Sequence, residues 1–426
     1  MGATEDAAAR RVIAGEKPKG IAGLGTGVAD AEALAKYAEL VVGLGANVQE
    51  GQIVEVRADV GKRPLVHALT QAAYRRGAKF VDVVWFDQEL RRIRIREARA
   101  DVDFAPPWSR SRVLQLGELR CARIGVSPSN TPGAYADLDP ARVAAEPFPF
   151  LPEYRRLIED ESTNWTGIAF PDPDWAAVVH PELESEEALA TLWQELQHVC
   201  RLDEADPIAA WENRFEQLQR ACDALNERRF DALHFQGPGT DLTVGLFPSS
   251  EWAGGAAETA DGIRHVPNLP TEEVFPAPDP ARADGVVTAT KPFNLKTGIL
   301  VEGLVVRFEG GRAVQIDARS GGEALRDYVG RVENADRLGE VALVDGEGRI
   351  GPLGTVFYNT LLDENAASHL ALGAAYLDRV GDDDRGRANR SDAHADFMIG
   401  GNDVDVTGIS RHGERVPVLR GGAWQV

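Results

Sequence analysis

The sequence predicts an α/β N-terminal domain with parallel strands, followed by a mixed, β-rich α+β C-terminal domain. Three observations carry this. The chain has 426 residues, too many for one ordinary core. Between residues 52 and 86 an apolar alternating run, an amphipathic run and a second apolar run follow in the order strand, helix, strand, which implies a right-handed parallel unit. From Leu233 onward the character changes to short alternating runs separated by glycine turns. We expect a flexible leader over 1–33, the α/β domain over 34–240 and the second domain over 241–426.

In chain order, GLGTG at 23–27 has the look of a phosphate loop, but no apolar strand precedes it. It reads as a helix N-terminus with Asp30 near the cap, opening the helix VADAEALAKYAEL. GLGAN at 43–47 follows that helix and reads as its C-terminus, with glycines available for left-handed conformations. QIVEVRAD (52–59) predicts a strand, RPLVHALTQAAYRRG (63–77) a helix ended by Gly77, and KFVDVVWF (79–86) a second strand. RRIRIREAR at 91–99 is a solvated edge strand or helix face in preference to an anion site. NWTGIAF leads a strand into a proline-rich loop, and two helices span 185–202 and 212–228. The paired glycines at 310–311, between alternating runs, signal a hairpin.

Composition excludes several functions. With 46 Lys and Arg against 67 Asp and Glu, the formal charge of -21 repels phosphate backbones and anionic membranes, so no nucleic-acid partner is expected. No apolar h-region opens the chain and no stretch approaches a membrane span. Met-Gly at the start is not an acylation signal, because Asp6 stands where Ser or Thr is needed. Cys121, Cys200 and Cys222 lack CxxC spacing, which fits a reduced, cytoplasmic protein.

Four segments can carry chemistry. In RSDAHADFMIG, strand alternation puts His394 and Asp396 on one face, either as a hydrogen-bonded pair or as metal ligands. LLDENAASHLALGAAYLD reads as a helix starting near Asp363 or Glu364, with Asn365, His369 and Tyr376 along one side. PNLPTEEVFPAP sets Glu272 and Glu273 between prolines, and RLGEVALV places Glu340 at the mouth of a short strand. Singly, each glutamate reads as a solvated or turn residue. Together, Glu, Glu, His, His and Asp form an oxygen and nitrogen donor set suited to Zn, Co(II) or Mn(II). No HExxH motif is present.

PNLPTEEVFPAP, RLGEVALV, FYNTLLDENAASHLALGAAY and HADFMIG followed by DVDVTGI, in that order, strongly resemble the bacterial leucyl aminopeptidase T, aminopeptidase S and PepS family. YAELVVGLGANVQEGQIVEVRAD and PGTDLTVGL extend the resemblance over nearly the whole chain from about residue 34. It implies a metallo-aminopeptidase acting on peptides with a free N-terminus, two adjacent divalent ions (Zn, Co or Mn) in a catalytic C-terminal domain, and a homodimer. The implied metal ligands are Glu273, Glu340, His369, His394 and Asp396, and Tyr376 matches a tyrosine thought to act in catalysis. Here Ala395 replaces a bulkier residue and the loop before His394 is short and acidic, which alters the pocket and no implied ligand.

The implied mechanism is attack by water activated between two Lewis acids, with Tyr376 hydrogen-bonding the oxyanion. Glu272 or Glu364 would carry the proton to the leaving amine. The competing readings are another dinuclear hydrolase, such as an amidase or phosphoesterase, and a non-catalytic metal-binding relative.

Overall fold

The computed structural model describes residues 31–99, 101–127, 134–135, 137–148, 151–295 and 298–426. The glycine loop at 23–27, Asp30 and residues 1–30 of the expected leader lie outside them. The first helix among the described residues, Ala31–Leu40, runs into a single π turn at Val41–Gly45. Gly43 and Gly45 are thus helical, and the left-handed residue that turns the chain is Asn47, with φ 44°. Asparagine tolerates that conformation because its short polar side chain bonds locally.

Five parallel strands form the first sheet, in the order Asn268–Leu269, Trp165–Ile168, Ala122–Val126, Ile53–Asp59 and Phe80–Phe86. The expected strand, helix, strand unit is present. Arg63–Arg75 is its helix, and Gly77 beyond it takes φ +89°. Val54, Val56 and Ala58 face inward against that helix, whose Leu65 and Leu69 are buried. The arginine-rich run falls in the helix Gln88–Glu97, capped by Asp87, whose carboxylate accepts from Glu89 and Leu90 N–H. Its arginines are ion-paired: Arg91 and Arg94 meet Glu146 at 2.8 and 3.1 Å. The helices Ser185–Val199 and Pro207–Arg228 follow, the second capped by Asp206. His198 is an ordinary helix-end residue, 2.8 Å from Asp203.

Two larger antiparallel sheets and two small two-stranded ones hold the other described strands. Eight strands run Arg312–Asp317, Val305–Glu309, Pro278–Thr288, Thr240–Leu246, Ala232–Gly237, Asp405–Ile409, Arg415–Arg420 and Ala423–Trp424. The Gly310–Gly311 hairpin joins the first two, with both glycines at positive φ. Ala232–Gly237 pairs as a hairpin with Thr240–Leu246, so the expected division at 240/241 would cut a paired unit. Antiparallel structure begins at Ala232 instead, and the chain returns once to the parallel sheet at Asn268–Leu269.

The other larger antiparallel sheet has five strands in the order His394–Met398, His369–Gly373, Leu338–Val344, Glu273–Phe275 and Ala253–Gly254. This corrects the helix expected over 363–376. The helical part is confined to Thr360–Asp363 and a 3-10 turn at Glu364–Ala366, after which Ala367 is extended. His369–Gly373 is a strand buried at all five residues between two neighbours. Alanine and leucine favour helix locally, but a central strand demands apolar side chains on both faces, and that packing overrides propensity. Gly373, at φ +106°, turns the chain out of the strand where a Cβ would lie 2.2 Å from the Ala393 carbonyl oxygen.

Candidate metal centre

Four adjacent strands of the five-stranded sheet carry the five side chains named above. The register sets Glu340 opposite Ala371 and Ala371 opposite Asp396, so all three share a face. Two-residue steps along each strand add His369 and His394 to that face, and Glu273, opposite Val344, completes it. Ala342 and Ala371 lie between them, and their small side chains leave the space the larger groups fill. Glu340 is the third residue of its strand and is buried, inside the sheet rather than at its mouth.

The distances are short. His369 Nε2 lies 3.2 Å from Glu273 Oε2 and 3.8 Å from Glu340 Oε1. His394 Nε2 lies 3.3 Å from Glu340 Oε2 and 3.1 Å from Asp396 Oδ1. Two triads result, Glu273 with Glu340 and His369, and Glu340 with His394 and Asp396. Within each, the donor atoms lie within 4.8 Å of one another, and Glu340 belongs to both. Both imidazoles are oriented alike. Nδ1 of His394 donates to the Ala374 carbonyl at 3.1 Å and Nδ1 of His369 to that of Ala367 at 3.4 Å, so each presents Nε2 to the carboxylates. Backbone carbonyls on Nδ1 are how proteins aim a ligating imidazole.

The electrostatics call for a cation. Burial, which opposes the charged imidazolium, is outweighed at His369 by the Glu340 hydrogen bond and the Glu273 charge, raising its pKa to about 10. At His394 the same opposition is overcome by Asp396 and Glu340, so its pKa lies well above the ordinary value. Burial, helped by the charges of Glu340 and Asp396, raises Glu273 to about 8, whereas the two imidazoles hold Glu340 below its ordinary value against burial. Glu273 Oε2 is buried and accepts no hydrogen bond, although His369 Nε2 is near. A buried carboxylate oxygen without a donor is costly, and positive charge among converging carboxylates removes that cost. The donor set and its orphan oxygen therefore fit divalent ions.

The remaining named residues separate. Glu364, on the 3-10 turn, faces the same cluster: burial first, then Asp396 and Glu273, push its pKa well above the ordinary carboxyl value. Glu272 does not join it. Neighbours along a strand point to opposite sides, and Glu272 is fully buried on the other side, accepting from Arg201 Nη2 at 2.9 Å and Arg214 Nε at 2.6 Å. With both oxygens held by guanidinium groups away from the imidazoles, Glu272 is not placed for the expected shuttle role. Tyr376 leaves the Gly373 turn with its ring edge-on to His394, centroids 5.8 Å apart, and 5.1 Å from Phe275. It is 41% exposed, which sets it at the mouth of the cluster. The nearby anions, Glu340 foremost, hold its phenol well above the ordinary value, so it remains a hydrogen-bond donor. Sequence reasoning missed the Tyr328 hydroxyl that receives His394 N–H at 3.3 Å, and the guanidinium groups on Glu272. Nothing local marks contacts across such separations.

A sheet face with two carboxylate and imidazole triads sharing one glutamate is a donor set of the metallohydrolase type. The profile of the thermophilic metalloprotease (M29) family matches residues 30–424, and the chain belongs to that family. Aminopeptidase T of Thermus aquaticus is 44% identical over 405 residues, covering 93% of this chain and 99% of that relative. Aminopeptidase T of Thermus thermophilus is 43% identical over 403 residues, 92% of this chain and 98% of its own length. The solved structure of wild-type AmpT from Thermus thermophilus superposes with a TM-score of 0.86 at 42% identity, covering 93% of this chain and 99% of that one. The expected family and the expected pairing of an α/β with a β-rich part both hold.

Proposed function

We propose that this chain, a metal-dependent aminopeptidase, holds two divalent ions through Glu273, Glu340, His369, His394 and Asp396 and releases N-terminal residues from peptides. One observation carries the reading: all five side chains stand on one face of a single sheet, with Glu340 shared between two triads. Zn, Co(II) and Mn(II) match the oxygen and nitrogen donors. Bound there, such ions supply Lewis acidity that activates water and polarises a scissile carbonyl.

The protein's own groups do the rest. Tyr376, protonated and at the mouth, donates a hydrogen bond to the oxygen that gains charge as the carbonyl is attacked. Glu364, on the turn beside the cluster, is the carboxylate that would take a proton from water and pass it to the leaving amine. The free α-amine of the substrate would be held by one of the ions or by acidic groups at the site. No helix among the described residues is long and apolar enough to cross a membrane. We take the protein to be cytoplasmic and homodimeric, with no nucleic-acid partner. Its three cysteines are free and buried, as a reducing compartment permits, and exposed Leu90, Phe104 and Trp108 offer apolar surface to a second copy.

Recognition of the free amine separates an exopeptidase from other hydrolases on the same ligands. Leucine p-nitroanilide is expected to be cleaved and its N-acetylated analogue left intact under the same conditions. Turnover of both at similar rates would mean that the amine is not read, and the aminopeptidase reading would fall.

A further inference from the structure

Glu273 stands on the shortest of the four strands that carry the candidate ligands. Its strand is three residues long and makes two register pairs with its ligand-bearing neighbour, Glu273 with Val344 and Val274 with Leu343. By contrast, the strand of His394 and Asp396 is paired along all five residues. Two acidic residues sit at the open end of the short ladder. Glu272 immediately precedes Glu273, and Asp345 immediately follows Val344; both are buried. Like charges so placed repel and would splay the ends that Glu273 depends on.

One guanidinium lies between them. Arg214, itself buried in the helix Pro207–Arg228, donates from Nε to Glu272 Oε2 at 2.6 Å. It also donates from Nη2 and Nη1 to the two oxygens of Asp345, at 2.9 and 3.1 Å. Arg201 occupies the other Glu272 oxygen, and the Trp424 indole N–H meets Asp345 Oδ2 at 2.5 Å, so neither carboxylate is free to turn. The planar fork spans two strand ends at once, which a lysine ammonium cannot do. We propose that Arg214 is a positioning residue for the metal centre. It clips the strand of Glu273 to the strand of Glu340 and so sets the affinity of the triad Glu273, Glu340 and His369, while the triad of Glu340, His394 and Asp396 stands without it.

This rests on the two-ion reading, and one experiment separates the two ideas. Metal-free wild-type protein and the Arg214→Lys variant are titrated with Co(II) by calorimetry, with thermal unfolding of both metal-free forms recorded alongside. Wild type is expected to take up two ions per chain. In the variant one of the two binding events weakens by roughly tenfold or more, as loss of outer support to a ligand does, and the other is unchanged. A residue that only stabilised the fold would lower the unfolding temperature and leave the ratio of the two affinities as it was, and that result overturns the proposal, as does equal weakening of both events. Uptake of a single ion by wild type would remove the two-ion reading itself, whatever Arg214 does. Should Arg214→Lys fail to fold, Asp345→Asn loosens the same clip while leaving Glu272 paired, and it carries the same expectation.

Discussion

Glu340→Gln is expected to lower kcat/KM on leucine p-nitroanilide by about a thousandfold, since the Lewis-acid contribution is worth several kcal/mol and each ~1.4 kcal/mol is tenfold in rate. The substitution keeps the shape of the one side chain common to both triads, with His369 Nε2 at 3.8 Å from Oε1 and His394 Nε2 at 3.3 Å from Oε2. It removes the charge and turns one oxygen into an amide that donates toward groups themselves aimed as donors or ligands. Metal content, read by atomic emission after dialysis, should fall with activity. The metal-free fold should survive, because the two imidazoles keep Glu273 and Asp396 as partners. Full metal content with full activity would show that Glu340 is not a ligand.

Tyr376→Phe is expected to reduce kcat by about a hundredfold, the usual cost of one preorganised oxyanion donor, with KM and metal content nearly unchanged. The ring contacts with His394 and Phe275 are those of the aromatic body and survive loss of the hydroxyl. What disappears is a proton that the surrounding anions keep on the phenol. A rise in KM at constant kcat would assign the hydroxyl to ground-state binding instead.

How legible this was in the sequence depended on how local each signal was. The parallel unit over 53–86 could be read because its strands alternate and its helix stops at a glycine that turns left-handed. The His394–Met398 strand could be read because His, Ala, Asp and Phe alternate in polarity, as one half-buried face requires. His369–Gly373 could not. A strand buried on both sides shows no alternation, and its Leu-Ala-Leu run has the composition of a helix. That misreading placed His369 and Tyr376 along a helix, when a turn at Gly373 brings the phenol round to His394 instead.

The site itself came through resemblance more than through spacing. Glu272 and Glu273 are chemically identical neighbours, and only the partner strands decide which one faces the imidazoles. The other is claimed by Arg214, 58 residues away along the chain, in a contact that no local pattern encodes. Asp345 is claimed by the same arginine across 131 residues. Such long-range ion pairs are invisible to periodicity, yet they determine which carboxylate is left for chemistry.

Reconstitution separates a paired-ion aminopeptidase from its alternatives. Protein stripped with chelator and dialysed is titrated with Zn, Co(II) or Mn(II), and hydrolysis of leucine p-nitroanilide is followed against ions bound per chain. The metal-free protein is expected to show no turnover, and full activity is expected to return as two ions per chain are taken up. Turnover that persists in demonstrably metal-free protein would contradict the paired-ion reading.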